Sequence, residues 1–386
     1  MSEKTSFWLT WLSELEKIFK DKEVLLVVFG GLIFYALLYP LPYKENVPGQ
    51  QAIAVVDYDR THLARQLIRM ADATPQVRVA AHPASFAEAE ALLASGEVHG
   101  LLVIPQFFER DVYLGQPTHL SFAGDASYFL IYGNVVEGLL TAAVTLTVQT
   151  QVVSSLMKGE NPALIPGQVM PMQMKTIPVF NPTSGYISYV VPAVFVLILH
   201  QTLLIAAGSL TIKDRARRKL GLQKSPLLLT LPMRLINFVI IYLLFAMIYF
   251  GFFFQLYGIP HAANPIELLA LSMLFFFSTT LFAIWLGYLL PRPELAIVVV
   301  LVTSLPIVFT GGFVWPVESL PKWIDIISYV FPAKAGIQGF LSINQMAAPF
   351  SSILREIGIL LGLCIFYGTW LLFRVHADQK LSENQY

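Results

Sequence analysis

Charge is scarce in this sequence. Only 13% of its 386 residues are Asp, Glu, Lys or Arg, while 56% are apolar and the mean hydropathy is +0.64. Ordinary soluble domains carry about a quarter charged residues, so a soluble globular chain is excluded and an integral membrane protein is expected. Neither sign dominates: 25 basic residues face 25 acidic ones, which gives no hint of the net basic surface that nucleic-acid binding needs. Cysteine is almost absent. The lone Cys364 rules out an intramolecular disulfide, and its apolar neighbours make it a small buried hydrophobe rather than a reactive thiol.

Catalytic motifs are missing as well. No Gly-x-x-x-x-Gly-Lys-Ser/Thr loop, His-Glu-x-x-His pair or Gly-x-Ser-x-Gly turn occurs, so ATP hydrolysis and intramembrane proteolysis have no machinery here and the chain is not expected to be an enzyme. His62, His82, His99 and His119 lack a ligand spacing, and Met170, Met172 and Met174 suit gap filling; no metal site is expected. No internal repeat of the kind found in many secondary carriers is visible.

Long apolar runs are what the chain has instead. Residues 1–22 suit a cytoplasmic amphipathic helix, with Phe7, Trp8, Trp11, Leu12, Leu15, Ile18 and Phe19 against Glu14, Glu16, Lys17 and Lys20. A first span is expected over 23–42 and retained rather than cleaved, since no small-residue cleavage motif follows it. Five more spans are expected near 186–210, 235–257, 266–290, 295–313 and 353–373, with a cytoplasmic tail at 374–386. Between the first and second spans, 44–183 has the composition of a soluble domain. Short runs such as Gln51–Val56, Gln76–Ala81 and His99–Ile104 predict strands alternating with helices, followed by a long helix and a Pro- and Met-rich linker. The fold class is therefore a polytopic α-helical membrane protein of six spans with an inserted extracytoplasmic α/β (α+β) domain.

The sidedness rests on Ile212–Pro232, where Lys213, Arg215, Arg217, Arg218, Lys219 and Lys224 outnumber the single Asp214. Cytoplasmic loops collect Lys and Arg, so this loop and both termini are placed inside and the inserted domain outside. The connection 314–352, with Trp315, Trp323 and its prolines, suits short helices dipping into the outer interface. Ionisable groups deep in a bilayer tend to be functional. The one such group expected here is His200, beside Gln201, read either as a translocation-path contact or as a neutral histidine bonded to a neighbouring helix. Glu267 and Glu294 fall near span ends.

Several stretches together resemble the membrane subunits of the second exporter type of ATP-binding-cassette transporters, those with a large external domain after the first span. They are VVDYDRTHLARQLIR with Asp57 and Asp59, VHGLLVIPQFFERDV with Ile104, Pro105, Phe108 and Glu109, Asn181-Pro182, and the outer connection with Gly311, Gly312, Pro316, Pro321, Trp323 and Pro332. This resemblance implies a bacterial inner-membrane permease that pairs with a second permease chain and is driven by separate cytosolic ATPase subunits. ATP and magnesium would be held by that partner, with no cofactor on this chain. The cargo would be a drug, lipid or lipid-linked polymer, and a periplasmic membrane-fusion adaptor is a possible further partner. Docking candidates are Lys213, Asp214, Arg215, Arg217, Arg218, Lys219, and the Ser225-Pro226 pair that matches the family; the sequence departs from the acidic Glu-Arg-Glu-x-Gly-Thr stretch of many relatives. The alternative is a non-transporting scaffold or receptor whose external domain binds a periplasmic partner.

Overall fold

A computed structural model describes residues 2–43, 49–127, 129–159, 161, 179–181, 185–222 and 226–383. The chain divides into two compact units, Met1–Lys44 with Val179–Tyr386, and Glu45–Pro178. The first opens with α1 (Ser2–Lys20) and an apolar helical segment α2 (Lys22–Tyr43). Asp21 separates them, accepting from the amides of Glu23 and Val24 as the N-cap of the second.

The Glu45–Pro178 unit is built on four strands, β1 (Gln51–Asp57), β2 (Val77–Ala81), β3 (Gly100–Ile104) and β4 (Ser121–Gly124), in the order β2-β1-β3-β4. β1 runs parallel to β2 and β3, and β4 antiparallel to β3. Parallel neighbours require crossovers, supplied by α3 (His62–Asp72) and α4 (Phe86–Ala94), which start on the N-caps Thr61 and Ser85. Alternate residues of the central strand enter two cores: Ile53 and Val55 pack with Leu63, Leu67 and Val77, and Ala54 and Val56 pack with Ala89 and Leu101. A short α5 (Phe108–Leu114) follows β3, and α6 (Phe129–Met157) lays Val135, Leu139, Ala142 and Leu146, one helical stripe, on the first of these cores. The Pro- and Met-rich linker lies outside the described residues.

In the other unit α7 (Val190–Lys219) is the axis, buried over most of its length. Around it stand α8 (Leu227–Leu256), α9 (Pro265–Leu289) and α10 (Glu294–Thr310). Next come α11 (Lys322–Ser328) and α12 (Pro332–Gln345), bent by 95° where they join, and α13 (Leu354–Glu383). The α7–α9 crossing is close. A Cβ on Gly287 would lie 2.7 Å from the Cβ of Thr211 and 2.9 Å from the carbonyl oxygen of Gly208.

Among the described residues, six helices are long and apolar enough to cross a membrane: Lys22–Tyr43, Leu130–Met157, Val190–Lys219, Leu227–Leu256, Pro265–Leu289 and Phe350–His376. Five of them coincide with spans expected from sequence, and Leu130–Met157 is the exception. The run expected as a span over 295–313 forms a shorter apolar helix of 17 residues, at the lower end of the range of about 17–25 that crosses a bilayer. Conversely Leu130–Met157 satisfies length and composition, yet its apolar stripe is spent on the sheet core. The basic stretch also differs from its expected form as a loop. Helix α7 continues through Asp214 to Lys219, and α8 begins at Leu227, so only 220–226 lie between them.

Candidate functional site

The apolar helices bring together charges that are far apart in sequence. Arg234 of α8 is 1% exposed, and its guanidinium donates to Glu14 Oε2 at 2.7 and 3.0 Å, to Thr211 Oγ1 at 3.2 Å, and to the Asp214 carboxylate. Lys17 closes the cluster, pairing with Glu14 and reaching Asp214 at 3.3 Å. Two acids thus meet two bases in a site where Glu14 is 0% and Asp214 4% exposed. Unpaired burial of any of them would cost several kcal/mol. Burial acts to raise the carboxyl pKa of Glu14, but Arg234 and Lys17 outweigh it and hold the group below its ordinary value. Asn237 adds a bond from its side-chain amide to the carbonyl of Trp11, so α1 is fastened to α8 at two levels.

This fastening orients α1. Glu14 and Ile18, one turn apart, are fully buried, Glu14 against Arg234 of α8, while Phe7, Trp8, Leu9 and Leu12 are exposed. Its inward stripe therefore carries a carboxylate and its outward face carries aromatics, the reverse of a helix on a soluble protein.

The expected docking residues separate into two sets. Lys213 binds the carboxylates of Asp21 at 2.8 Å and Glu23 at 2.6 Å. Arg215 donates to the carbonyls of Gly287 at 3.2 Å, Leu290 at 2.6 Å and Tyr288, which are orphan acceptors at the end of α9. Arg218 donates to Thr230 Oγ1 at 2.9 Å, across the turn into α8. Arg217 and Lys219 stand exposed at the tip. Pro226 immediately precedes α8, and its carbonyl accepts from the Thr230 amide at 3.1 Å; Ser225 lies outside the described residues.

His200 is fully buried between Phe275 and Phe282, at ring-centre distances of 6.2 and 6.5 Å, and neither ring nitrogen has a hydrogen-bond partner among the described residues. The bond to a neighbouring helix considered for it is not made. Gln201 does bond across helices, from Nε2 to Ser304 Oγ at 2.7 Å. An apolar groove of about 350 Å³ runs among α8, α9 and α13 past Leu231, Phe277, Leu281, Cys364 and Leu371; neither His200 nor Gln201 lines it.

The connection after α10 turns at Gly311 and at Gly312, whose φ of +89° suits glycine. Pro316 is exposed, Pro321 precedes α11, Trp323 is 65% exposed, and Pro332 opens α12 at its first turn. The bend is locked by a residue not singled out from sequence, Lys334. It is 0% exposed, donates to Ser328 Oγ at 2.8 Å, pairs with the Asp325 carboxylate, and lies 4.3 Å from the Tyr329 ring centre. Tyr367 of α13 donates to the Val330 carbonyl at 2.9 Å. In the sheet unit, Asp57 accepts from the amides of Asp59 and Arg60, and Asp59 from the amide of Glu109 and the Thr61 hydroxyl. These acids close the strand-to-helix turn, and no group of metal-ligating side chains occurs among the described residues.

Arg234, Glu14 and Lys17 were not chosen from sequence. Arg234 had a legible signal, a cation within an apolar segment, concealed by starting the span at 235 instead of Leu227. Glu14 and Lys17 had none, since charges on an amphipathic helix read as its solvated face.

Apolar helices that bury their charges in compensated clusters, with no catalytic motif, are the build of a multi-pass membrane protein. Residues 22–373 match the family described as ABC-2 family transporter protein, and the chain belongs to that family of ATP-binding-cassette permeases. Membership makes it a transport subunit rather than an enzyme and implies an ATP-binding-cassette ATPase as partner. No curated protein matches the chain.

Proposed function

We propose that this chain is the permease subunit of an exporter of the bacterial inner membrane, moving a hydrophobic or amphipathic substrate outward on energy from a separate cytosolic ATPase. The observation that carries this reading is the end of α7. Its tip presents Arg217 and Lys219, while the residues just before them are tied into the membrane unit through Asp21, Glu23, the end of α9 and the Glu14–Arg234–Asp214 cluster. A push on that tip would be delivered to α1, α8 and α9 at once. The basic excess supports a cytoplasmic position for the tip, which would leave the Glu45–Pro178 unit outside as an α/β domain for substrate or adaptor contact. ATP and magnesium belong to the partner in this reading. The aliphatic faces of α10, with Leu301 and Val302 each 69% exposed, and of α13 suit lipid or a second permease chain.

The test uses the chain copurified with its ATPase. Reversing Arg217 and Lys219 to Glu is expected to lower coupled ATPase activity by on the order of tenfold while thermal stability is kept, because both side chains are exposed. Unchanged complex formation and activity would remove this docking site. Failure of any ATPase to copurify with the unaltered chain would favour a scaffold or receptor instead.

A further inference from the structure

Beyond transport, the geometry points to a phosphate-binding site in the Glu45–Pro178 unit. A cleft of about 520 Å³ opens where β1 and β2 end, lined by Arg60, Arg65 and Arg69 with His82 across from them. Arg65 and Arg69 stand four residues apart on α3, hence on one face, and Arg60 lies in the turn leading into it. All three arginines and His82 are exposed.

Positive charge is in excess in this cleft, with three arginines against one carboxylate in the lining. Among the described residues of the unit the one ion pair is Arg110 with Asp111, away from the cleft lining. Asp57 is the single carboxylate in the lining, and its Oδ1 is already engaged by the amides of Asp59 and Arg60. Glu88 is turned to the amide of Ala84, at 2.8 Å. Like charges four residues apart destabilise a helix, and an anion in the cleft relieves that repulsion.

The cleft is also held in shape. Arg65 Nη1 donates to the Arg60 carbonyl at 2.7 Å, which folds its guanidinium over the turn and leaves the rest of its donor fork available. The Phe86 amide donates to the Tyr58 hydroxyl at 3.1 Å, joining the β1–α3 turn to the β2–α4 turn on the opposite wall. Three guanidinium forks around one concavity match a group with several acceptor oxygens, a phosphate monoester or a phospholipid headgroup. This inference does not rest on coupling to an ATPase.

Full-length protein in detergent is titrated with glycerol phosphate, with short-chain phosphatidic acid and with short-chain diacylglycerol, and binding is followed by thermophoresis. Saturable binding of a phosphate probe, absent for diacylglycerol and weakened by salt, is expected. Arg65→Ala and Arg69→Ala should each weaken it by on the order of tenfold, and the double variant further. Arg110→Ala, which removes one positive charge from the same unit, should leave it unchanged. Binding of both phosphate probes marks recognition of the phosphate alone, and binding of phosphatidic acid only marks a lipid headgroup as the ligand. No saturable binding of either, an equal loss in Arg110→Ala, or no loss in a double variant that melts like the parent would overturn the site.

Discussion

The two units distribute charge in opposite ways. In Glu45–Pro178 the arginines 60, 65 and 69 and the acids Glu88 and Glu90 are exposed, and the cores on both sheet faces are apolar. The other unit holds Glu14, Asp214, Arg234 and Lys334 at 4% exposure or less, while Leu301, Val302 and Leu305 of α10 are exposed at 64% or more. Water rewards the first arrangement and hydrocarbon the second. Where the surrounding medium cannot solvate a charge, the charge goes inward and survives only with partners.

Removing one partner tests that difference most severely. Arg234→Met leaves Glu14 and Asp214 with Lys17 as the one remaining cation of the cluster, and the loss is expected to be about 3–5 kcal/mol. The result should be little folded protein on purification, or a strongly lowered melting temperature. Retention of the parent's melting behaviour would show that the cluster is not buried in the folded chain.

Acid probes the same cluster without mutation. Burial works against the charge of Glu14, yet Arg234 and Lys17 hold its pKa below the usual value; Asp21, likewise opposed by burial, is held low by Lys213. A carboxyl whose folded pKa is lowered contributes stability that is present above its unfolded value and disappears as pH falls through the folded one. Attachment of α1 should therefore hold at neutral pH and fail below about 4.5, the ordinary value for Glu. Fluorescence of Trp8 and Trp11 during acid titration reports it. A signal flat down to the acid unfolding of the whole protein would break the link between charge pairing and α1.

Lys334 offers a milder version of the comparison. Its side chain is 1% exposed, but its partner Asp325 is 22% exposed and keeps contact with water. Lys334→Met should cost roughly 1–3 kcal/mol, the range for losing charge-assisted bonds, and should loosen the 95° bend between α11 and α12. Faster proteolysis within 322–332 would register that loosening; an unchanged cleavage pattern would assign the bend to the prolines and to Tyr367 instead.

How much of this was legible in the sequence follows the same division. The short apolar run of β1 and the spacing of α6 are local signals, and they marked strands and a long helix. Membership of the permease family was readable from motifs spread over the chain. The Glu14–Arg234 pair was not, because its members are 220 residues apart and each, taken alone, resembles a solvated side chain. Reading Lys213–Lys219 as loop failed for a related reason. The stretch stays helical because Asp21, Glu23, Arg234 and the carbonyls of α9 satisfy its charges, and none of those partners is adjacent in sequence.

The smallest effect should come from the sheet unit, where a single polar contact is solvated as easily as it is lost. Thr61 caps α3 by accepting from the Ala64 amide at 3.4 Å and also donates to Asp59, which in turn receives the Glu109 amide. Thr61→Ala should cost about 1 kcal/mol, seen as a small drop in the melting of this unit with ATPase coupling unaltered. The neighbouring Leu63 amide keeps its bond to Glu109 at 3.3 Å, so one capping contact persists. A loss as large as that of Arg234→Met would mean that the turn after β1 is as dependent on its partners as the buried cluster, and that the contrast between the two units does not extend to their energetics.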